Sequence, residues 1–214
     1  EAKFPGLKNL ETFADLEDPL RRSKAAYDEA VRTVDVQKLA AYKEKRDLEL
    51  KQDGRDFDTL YADAEHAQKL LVDALEPLPG ETFDPGVKGR ASAERKLHDK
   101  YTDSEGETHA ENFRDLARAT ILVATPDELL DVLRRLESAG LEIVQLKNKF
   151  AHPTPLGYRD MNLNVSVRLE DGRKHLAEVQ LNLKSVADAK HIAHEQYEVI
   201  RLALPKMCEG TSVK

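Results

Sequence analysis

Two short segments in the last third of the chain alternate apolar and polar residues with period two. They constrain the fold more tightly than any other feature of the sequence. In Asn162–Leu169, Leu163, Val165, Val167 and Leu169 fall on one face, and Asn162, Asn164, Ser166 and Arg168 on the other. In Ala177–Leu183, Ala177, Val179, Leu181 and Leu183 alternate with Glu178, Gln180 and Asn182. Successive side chains of a strand point to opposite faces, so each segment reads as a strand with one buried and one polar face. Asp171-Gly172 between them signals a hairpin turn. A two-residue loop there would pair Val165 with Glu178 and mix the faces. Pairing Glu170 with Lys174 sets Val165 opposite Val179, Leu163 opposite Leu181, Asn164 beside Gln180 and Ser166 beside Glu178. That register, with a three-residue loop or a bulge, is the preferred expectation, because a one-residue slip turns every side chain over. It yields a sheet face carrying Glu178, Gln180, Asn162, Asn164 and Arg168. A merely solvated face is the plain alternative; the loop from His152 through Pro153, Pro155 and Gly157 to Tyr158 weighs against it.

The rest of the chain supplies layers for that sheet. Leu20–Val31, Val36–Leu50 and Phe57–Leu75 carry apolar residues at three- and four-residue spacing and read as helices. Asp53-Gly54 separates the last two, and Pro77, Pro79, Gly80 and Pro85-Gly86 mark residues 78–87 as a linker or loop. Lys88–Tyr101 reads as a basic helix with Lys88, Arg90, Arg95, Lys96 and Lys100; a solvated charged helix is the alternative. Thr120–Ala124 is a buried strand. Thr125-Pro126-Asp127-Glu128 opens a helix with Thr as N-cap and Pro at its first position, and Gly140 stops it. Leu141–Leu146 is another strand, and Val186–Leu204 a closing helix with Ala193, Tyr197, Ile200 and Leu204 inward, ended by Pro205. The expectation is an α+β fold, a mixed sheet of four to five strands flanked by helices, with a helical N-terminal region over 1–80 and a second domain over 81–214.

Composition narrows the classes. The chain has 214 residues, 40% hydrophobic and 34% charged, with a net charge of −7. This excludes a general nucleic-acid coat while leaving room for a local basic groove. No run is apolar enough to span a bilayer. The one cysteine, Cys208, cannot form an internal disulfide and is read as an inert thiol. Because the chain begins with Glu1, it is expected to be a processed or excised fragment. Its expected location is the cytoplasm, or that of a target cell if the chain is a secreted effector.

Two acids stand out. Asp115 lies just ahead of the first strand and Glu178 on the polar face of the last. Paired carboxylates suit Mg²⁺, which takes oxygen ligands and phosphate partners. Arg and Lys nearby would hold a triphosphate, and Tyr158 after Gly157 offers a ring on which a base can stack. Together these are the parts of a phosphoryl-type transfer site. Singly, Asp115 reads equally as a helix-end residue and Tyr158 as a packed turn residue.

Residues 88–182 resemble the synthetase domain of the RelA/SpoT family, the pyrophosphokinases that make alarmone nucleotides. Gly89-Arg90 followed by Lys100 is similar to the family's ATP-binding helix, and Asp115-Leu116-Ala117 to its metal-binding aspartate. The segment Pro153 to Arg159 is similar to the loop whose tyrosine stacks on the acceptor base, and Glu178-Val179-Gln180 to the family's Glu-x-Gln. The chain departs from the pattern at Ser92, Thr120, Thr154, Leu156, Asn162 and Leu181–Leu183, so the donor side is the better kept. The resemblance implies a Mg²⁺-dependent enzyme that transfers pyrophosphate from ATP to the ribose hydroxyl of a nucleotide acceptor. Asp115 and Glu178 are then the catalytic and metal-binding residues. Arg90, Lys96, Lys100, Arg118, Lys147, Lys149, Tyr158, Arg159, Gln180 and Asn162 are the substrate-binding candidates, with Lys147 and Lys149 standing in for a loop lysine. The acceptor stays open between guanine nucleotides, adenine nucleotides and the 3′ end of tRNA, the last two being acceptors of divergent toxin members. A catalytically inactive nucleotide sensor, or an interaction module whose helices bind an immunity or regulatory protein, are the alternatives. His98-Asp99 is read as solvated. His191 and His194, three residues apart, are read as a packed or solvated pair rather than a metal site.

Overall fold

Local chemistry sets the helices first. Asp56 accepts from Thr59 N at 2.8 Å and caps a helix over Phe57–Leu75. Thr125 Oγ1 accepts from Glu128 N at 3.2 Å and caps another over Pro126–Leu136, while Glu128 Oε2 reaches back to Ala124 N at 2.8 Å. Thr125 thus caps the helix as the sequence predicts, while Glu128 reaches one residue past the cap, to Ala124. In the computed structural model, residues 16–46, 49–54 and 56–190 are described, together with Ala193, His194, Gln196 and Ile200. The elements in chain order are α1 (Glu17–Val31), α2 (Gln37–Ala40), α3 (Phe57–Leu75), β1 (Glu81–Phe83), α4 (Arg90–Tyr101), β2 (Ala117–Val123), α5 (Pro126–Leu136), β3 (Glu142–Asn148), β4 (Met161–Arg168) and β5 (Lys174–Leu183). Residues 184–190 are helical. Ala193, His194, Gln196 and Ile200 are helical too; the other positions of the expected closing helix beyond Lys190, with Tyr197 and Leu204, lie outside the described residues, as do His191, Pro205 and Cys208.

The fold is α+β. One five-stranded mixed sheet runs in the order β1-β2-β5-β4-β3, with β2 and β5 parallel and every other pair antiparallel. Its apolar face, including Ile121, Leu163, Val165, Val179 and Leu181, forms one core with Leu71 and Leu75 of α3, Leu129 and Leu133 of α5, Tyr27 of α1 and Leu39 of α2. A second, smaller cluster joins the start of α3 to α4 through Leu60, Ala64, Ala93, Phe113 and Leu116. The α3 helix therefore ties the sheet to the basic helix α4.

Three expectations are corrected. The helix expected over Val36–Leu50 is only the single turn α2; Lys45 instead pairs in extended form with Leu146, extending the β3 edge. Asp53-Gly54 is thus not the end of that helix. Residues 78–87 are not all linker, because Glu81–Phe83 adds an edge strand to β2. The hairpin keeps its faces but shifts: Leu163 pairs with Val179, Asn164 with Glu178 and Asn162 with Gln180. The loop does have three residues, but they are Glu170, Asp171 and Gly172 rather than residues 171–173. Gly172 sits at φ +87°, and its N–H donates to Leu169 O at 2.9 Å while Leu169 N donates to Arg173 O at 2.8 Å. A three-residue hairpin loop closes with a left-handed residue, and glycine takes that place without a Cβ clash. The glycine, not the strand pattern, fixes the register.

Candidate active site on the polar face of the sheet

Register builds the site. Parallel pairing sets Arg118 beside Glu178 and Thr120 beside Gln180; antiparallel pairing sets Asn164 opposite Glu178 and Asn162 opposite Gln180. A bulge between Ile143 and Gln145 then brings Gln145 opposite Asn164 and Lys147 opposite Asn162. Paired neighbours share a face. Without that extra residue, Ile143 opposite Val165 would put Lys147 on the apolar side.

Asp115 comes to the same place from the segment ahead of β2. Lys88 N donates to Leu116 O at 2.9 Å. The buried Gln52 donates to Phe113 O at 3.0 Å and to Leu176 O at 3.1 Å, and accepts from Leu176 N at 2.8 Å. Asn164 Nδ2 holds Arg114 O at 3.1 Å. These bonds lash the approach to β2 onto β4 and β5. As a result Asp115 and Glu178 line one cavity of about 390 Å³, and Lys96, Lys100, Arg114, Lys147 and Asn162 line it with them.

The cavity is strongly polar and net cationic, with four cations to two carboxylates. Asp115 Oδ1 accepts from Lys96 Nζ at 2.8 Å and Oδ2 from Lys88 Nζ at 3.2 Å. Burial pushes the Asp115 carboxyl up, but the two ammonium groups outweigh it and hold the group below the usual carboxylate range. Burial likewise pulls Lys96 down, and the Asp115 bond and charge more than reverse this, so its ammonium is held above the ordinary range. Lys96 lies 5.3 Å from the Tyr101 ring centre and 5.5 Å from that of Phe113; Lys100 lies 5.6 Å from Tyr101. Glu178 accepts from Asn162 Nδ2 at 2.9 Å and from Gln180 Nε2 at 2.8 Å.

A second cavity of about 600 Å³ adjoins along β5. It is lined by Gln180, Lys149, Tyr158 and Asp160, by Thr154 and Leu156 of the loop, and by Ser23 and Tyr27 of α1. Tyr158 donates to Asp160 Oδ2 at 2.9 Å, and Lys149 Nζ donates to Asp160 Oδ1 at 2.7 Å. Burial, then the Asp160 charge, keep the Tyr158 phenol protonated far above its ordinary range. Its ring meets Tyr27 edge-on at 5.5 Å, with the Lys149 and Lys190 ammonium groups 5.3 and 5.5 Å from its centre.

Of the residues singled out in the sequence, Asp115, Glu178, Lys96, Lys100, Lys147 and Asn162 meet at the first cavity, and Tyr158, Lys149 and Gln180 at the second. Three lie elsewhere. Arg90 is exposed, paired with Asp58 and with Glu94 at 2.9 Å, over the rings of Phe57 and Tyr61. Arg159 donates to Gly157 O at 2.8 Å and faces Asp28 of α1 at 3.7 Å. Arg118 shares the face of Glu178, and its Nε is buried without a hydrogen-bond partner among the described residues. Sequence reasoning missed Arg114 as a wall of the first cavity and Lys88 as a partner of Asp115; Arg114 is the immediate neighbour of Asp115 in the chain. His98 is exposed and bonded to Asp99 at 3.0 Å. Among the described residues no group of three or more His, Cys, Asp or Glu side chains could hold a metal ion, and no helix is long and apolar enough to cross a membrane.

No protein-family model matches the chain, and no curated protein matches it in sequence. Among solved structures, a chain of the complex between the type VI effector Tas1 and its immunity protein is similar at 23% identity, covering 68% of this chain and 75% of that one, with a TM-score of 0.45. The protein smu.1046c of Streptococcus mutans UA159 is similar at 19% identity, covering 70% and 90%, with a TM-score of 0.46. The small alarmone synthetase 1 of Bacillus subtilis is similar at 18% identity, covering 72% and 88%, with a TM-score of 0.43.

Proposed function

We propose that the chain is a Mg²⁺-dependent pyrophosphokinase that transfers the terminal diphosphate of ATP to a hydroxyl of a nucleotide acceptor. The observation that carries this reading is that Asp115 and Glu178, from separate parts of the chain, open into one cavity walled by four cations. A triphosphate is the ligand that such an excess of positive charge in a partly enclosed site favours. Lys96, Lys100, Lys147 and Arg114 hold the phosphates of ATP.

The carboxylates suit the metal this chemistry uses. Asp115 is held as a carboxylate by two ammonium groups, and Mg²⁺ would take its oxygens as Lys96 and Lys88 turn away from them, Lys96 toward the phosphates. Two carboxylates alone make a weak site, so Asp115 and Glu178 would hold Mg²⁺ jointly with substrate phosphate oxygens. When bound, the ion neutralises phosphate charge.

The acceptor lies in the second cavity, its base against Tyr158 after Lys149 and Lys190 swing from the ring to its phosphates. Its hydroxyl then reaches Glu178 at the boundary of the two cavities. The hydroxyl oxygen bonds to the β-phosphorus, the bond from that phosphorus to the α,β-bridging oxygen breaks, AMP leaves with the electron pair, and Glu178 takes the hydroxyl proton.

The test is incubation with ATP and Mg²⁺ plus GDP, GTP, ADP, AMP or total tRNA, followed by mass spectrometry. The expected result is one acceptor heavier by a diphosphate with an equal amount of AMP. Absence of a diphosphate-bearing product with every acceptor overturns the reading.

A further inference from the structure

We propose that Ser23 of α1 hydrogen-bonds the base of the acceptor, making this helix the wall that selects what the second cavity takes. The inference deepens the transfer reading and rests on it. Ser23 is 1% exposed and lines the cavity, yet among the described residues its buried Oγ has no hydrogen-bond partner. A buried hydroxyl left unmade is costly, and serine inside a helix ordinarily bonds the carbonyl one turn back. An unpaired hydroxyl kept at the wall of a cavity is a group held for a ligand.

Most of the other polar groups beside it are already engaged. Tyr158 bonds Asp160, Asp160 also takes Lys149, Gln180 Nε2 bonds Glu178, and Thr154 Oγ1 accepts from Tyr158 N at 3.1 Å. The rest of the lining is largely flat and apolar, with Tyr27, Pro155, Leu156, Tyr158 and Ala193, together with Lys190 and His194. A planar ring with a polar edge, a nucleobase, suits that combination, since a hydroxyl can donate to a ring nitrogen or accept from an amine.

The helix is also held in place relative to the loop. Tyr27 packs edge-on against Tyr158, and Asp28 faces Arg159 at 3.7 Å. Gly157 sits at φ +88°, a conformation glycine takes without strain, and a Cβ there would be in contact with Tyr27 Cβ and Lys24 Cα at 3.4 and 3.6 Å, so the loop backbone lies against α1. Ser23 and the Tyr158 ring are thereby fixed on opposite elements of one pocket.

The test uses the intact chain with ATP and Mg²⁺ and, as acceptor probes, GDP, GTP, ADP, AMP and total tRNA, continuing with the one that is modified. Ser23→Ala is expected to raise the KM for that acceptor by roughly five- to tenfold, with kcat and the KM for ATP unchanged. Ser23→Cys, of similar size but a weak donor, is expected to do the same. Neither variant lowers the melting temperature of the free protein, because the hydroxyl removed had no partner. An unchanged acceptor KM in both variants overturns the role of Ser23 and leaves the transfer reading standing. A lowered melting temperature with both KM values shifted makes Ser23 a packing residue and also overturns it. Modification of none of the probes overturns the inference and the transfer reading together.

Discussion

Gln180 Nε2 donates to Glu178 Oε1 at 2.8 Å, and the two residues line different cavities. They stand on the same strand two residues apart, so they share a face by the pleat alone. One hydrogen bond thus joins the cationic cavity to the tyrosine-lined one. A group transferred from a ligand in one to a ligand in the other would cross beside Glu178.

Glu178→Gln tests that crossing point. The amide keeps the size of the side chain and can still accept from Gln180, but it cannot take a proton. Transfer, followed as AMP release in a single turnover, is expected to fall by about a hundredfold or more. Binding of a non-transferable ATP analogue should change little. Equal transfer by the variant would remove Glu178 from the chemistry.

Asp115→Asn should separate metal dependence from folding. The change strips Lys88 and Lys96 of their partner, with side chains of only 17% and 24% exposure, at a cost of about 2 kcal/mol. Because the Asp115 carboxyl is held below its ordinary value, its contribution is present above the unfolded value and lost as pH falls through the folded one. The stability difference between wild type and variant, by urea unfolding, should therefore shrink in acid. At neutral pH, the tightening of ATP-analogue binding by Mg²⁺ should be largely abolished in the variant. A Mg²⁺ effect of wild-type size would exclude Asp115 as a ligand.

How much of this was legible in the sequence depends on which force set each feature. The faces of β4 and β5 follow from side-chain alternation, and the starts of α3 and α5 from caps, so both could be read directly. The hairpin register could not be, because the left-handed position of Gly172 overrode a pattern that even shifts leave intact. The segment after Ala40 has helical spacing but is held extended at Lys45 by backbone pairing with Leu146, a tertiary effect no local propensity reports. The meeting of Asp115 with Glu178 needed the parallel pairing of β2 with β5. Arg90 has the right sequence position for a phosphate clamp, but the adjacent Asp58 and Glu94 and two rings hold it at the surface.

His175 gives the protein an acid-sensitive core. It is 1% exposed, among the described residues its Nε2 lacks a partner, and burial lowers its pKa to about 4 from 6.5, with Asp63 and Arg173 acting in opposite directions. The folded value is the lower one, so the unfolded chain binds the extra proton. Stability is unaffected above about pH 6.5 and falls as pH drops toward 4. At pH 5 the loss from this residue is about 2 kcal/mol relative to pH 7.5. His175→Leu should flatten the urea midpoint between those two pH values; an unchanged slope would mean the histidine is not buried neutral.

Gln52 is the residue on which the site's assembly should depend most. Its side chain makes three hydrogen bonds at 5% exposure, two to the backbone of Leu176 at the start of β5 and one to Phe113 ahead of Asp115. Gln52→Ala leaves two carbonyls and one N–H unpaired in the interior, at a cost of about 3 kcal/mol. Gln52→Glu is the sharper variant: its carboxylate can accept from Leu176 N but repels both carbonyls, so it should be at least as destabilised at neutral pH and recover partly in mild acid as it protonates. In both variants, ATP-analogue binding measured well below the melting temperature should weaken by about tenfold or more, because Asp115 and Arg114 lose their fixed distance from Glu178. If binding survives while stability falls, Gln52 supports the sheet alone, and the Asp115 segment is held by Lys88 N and Asn164.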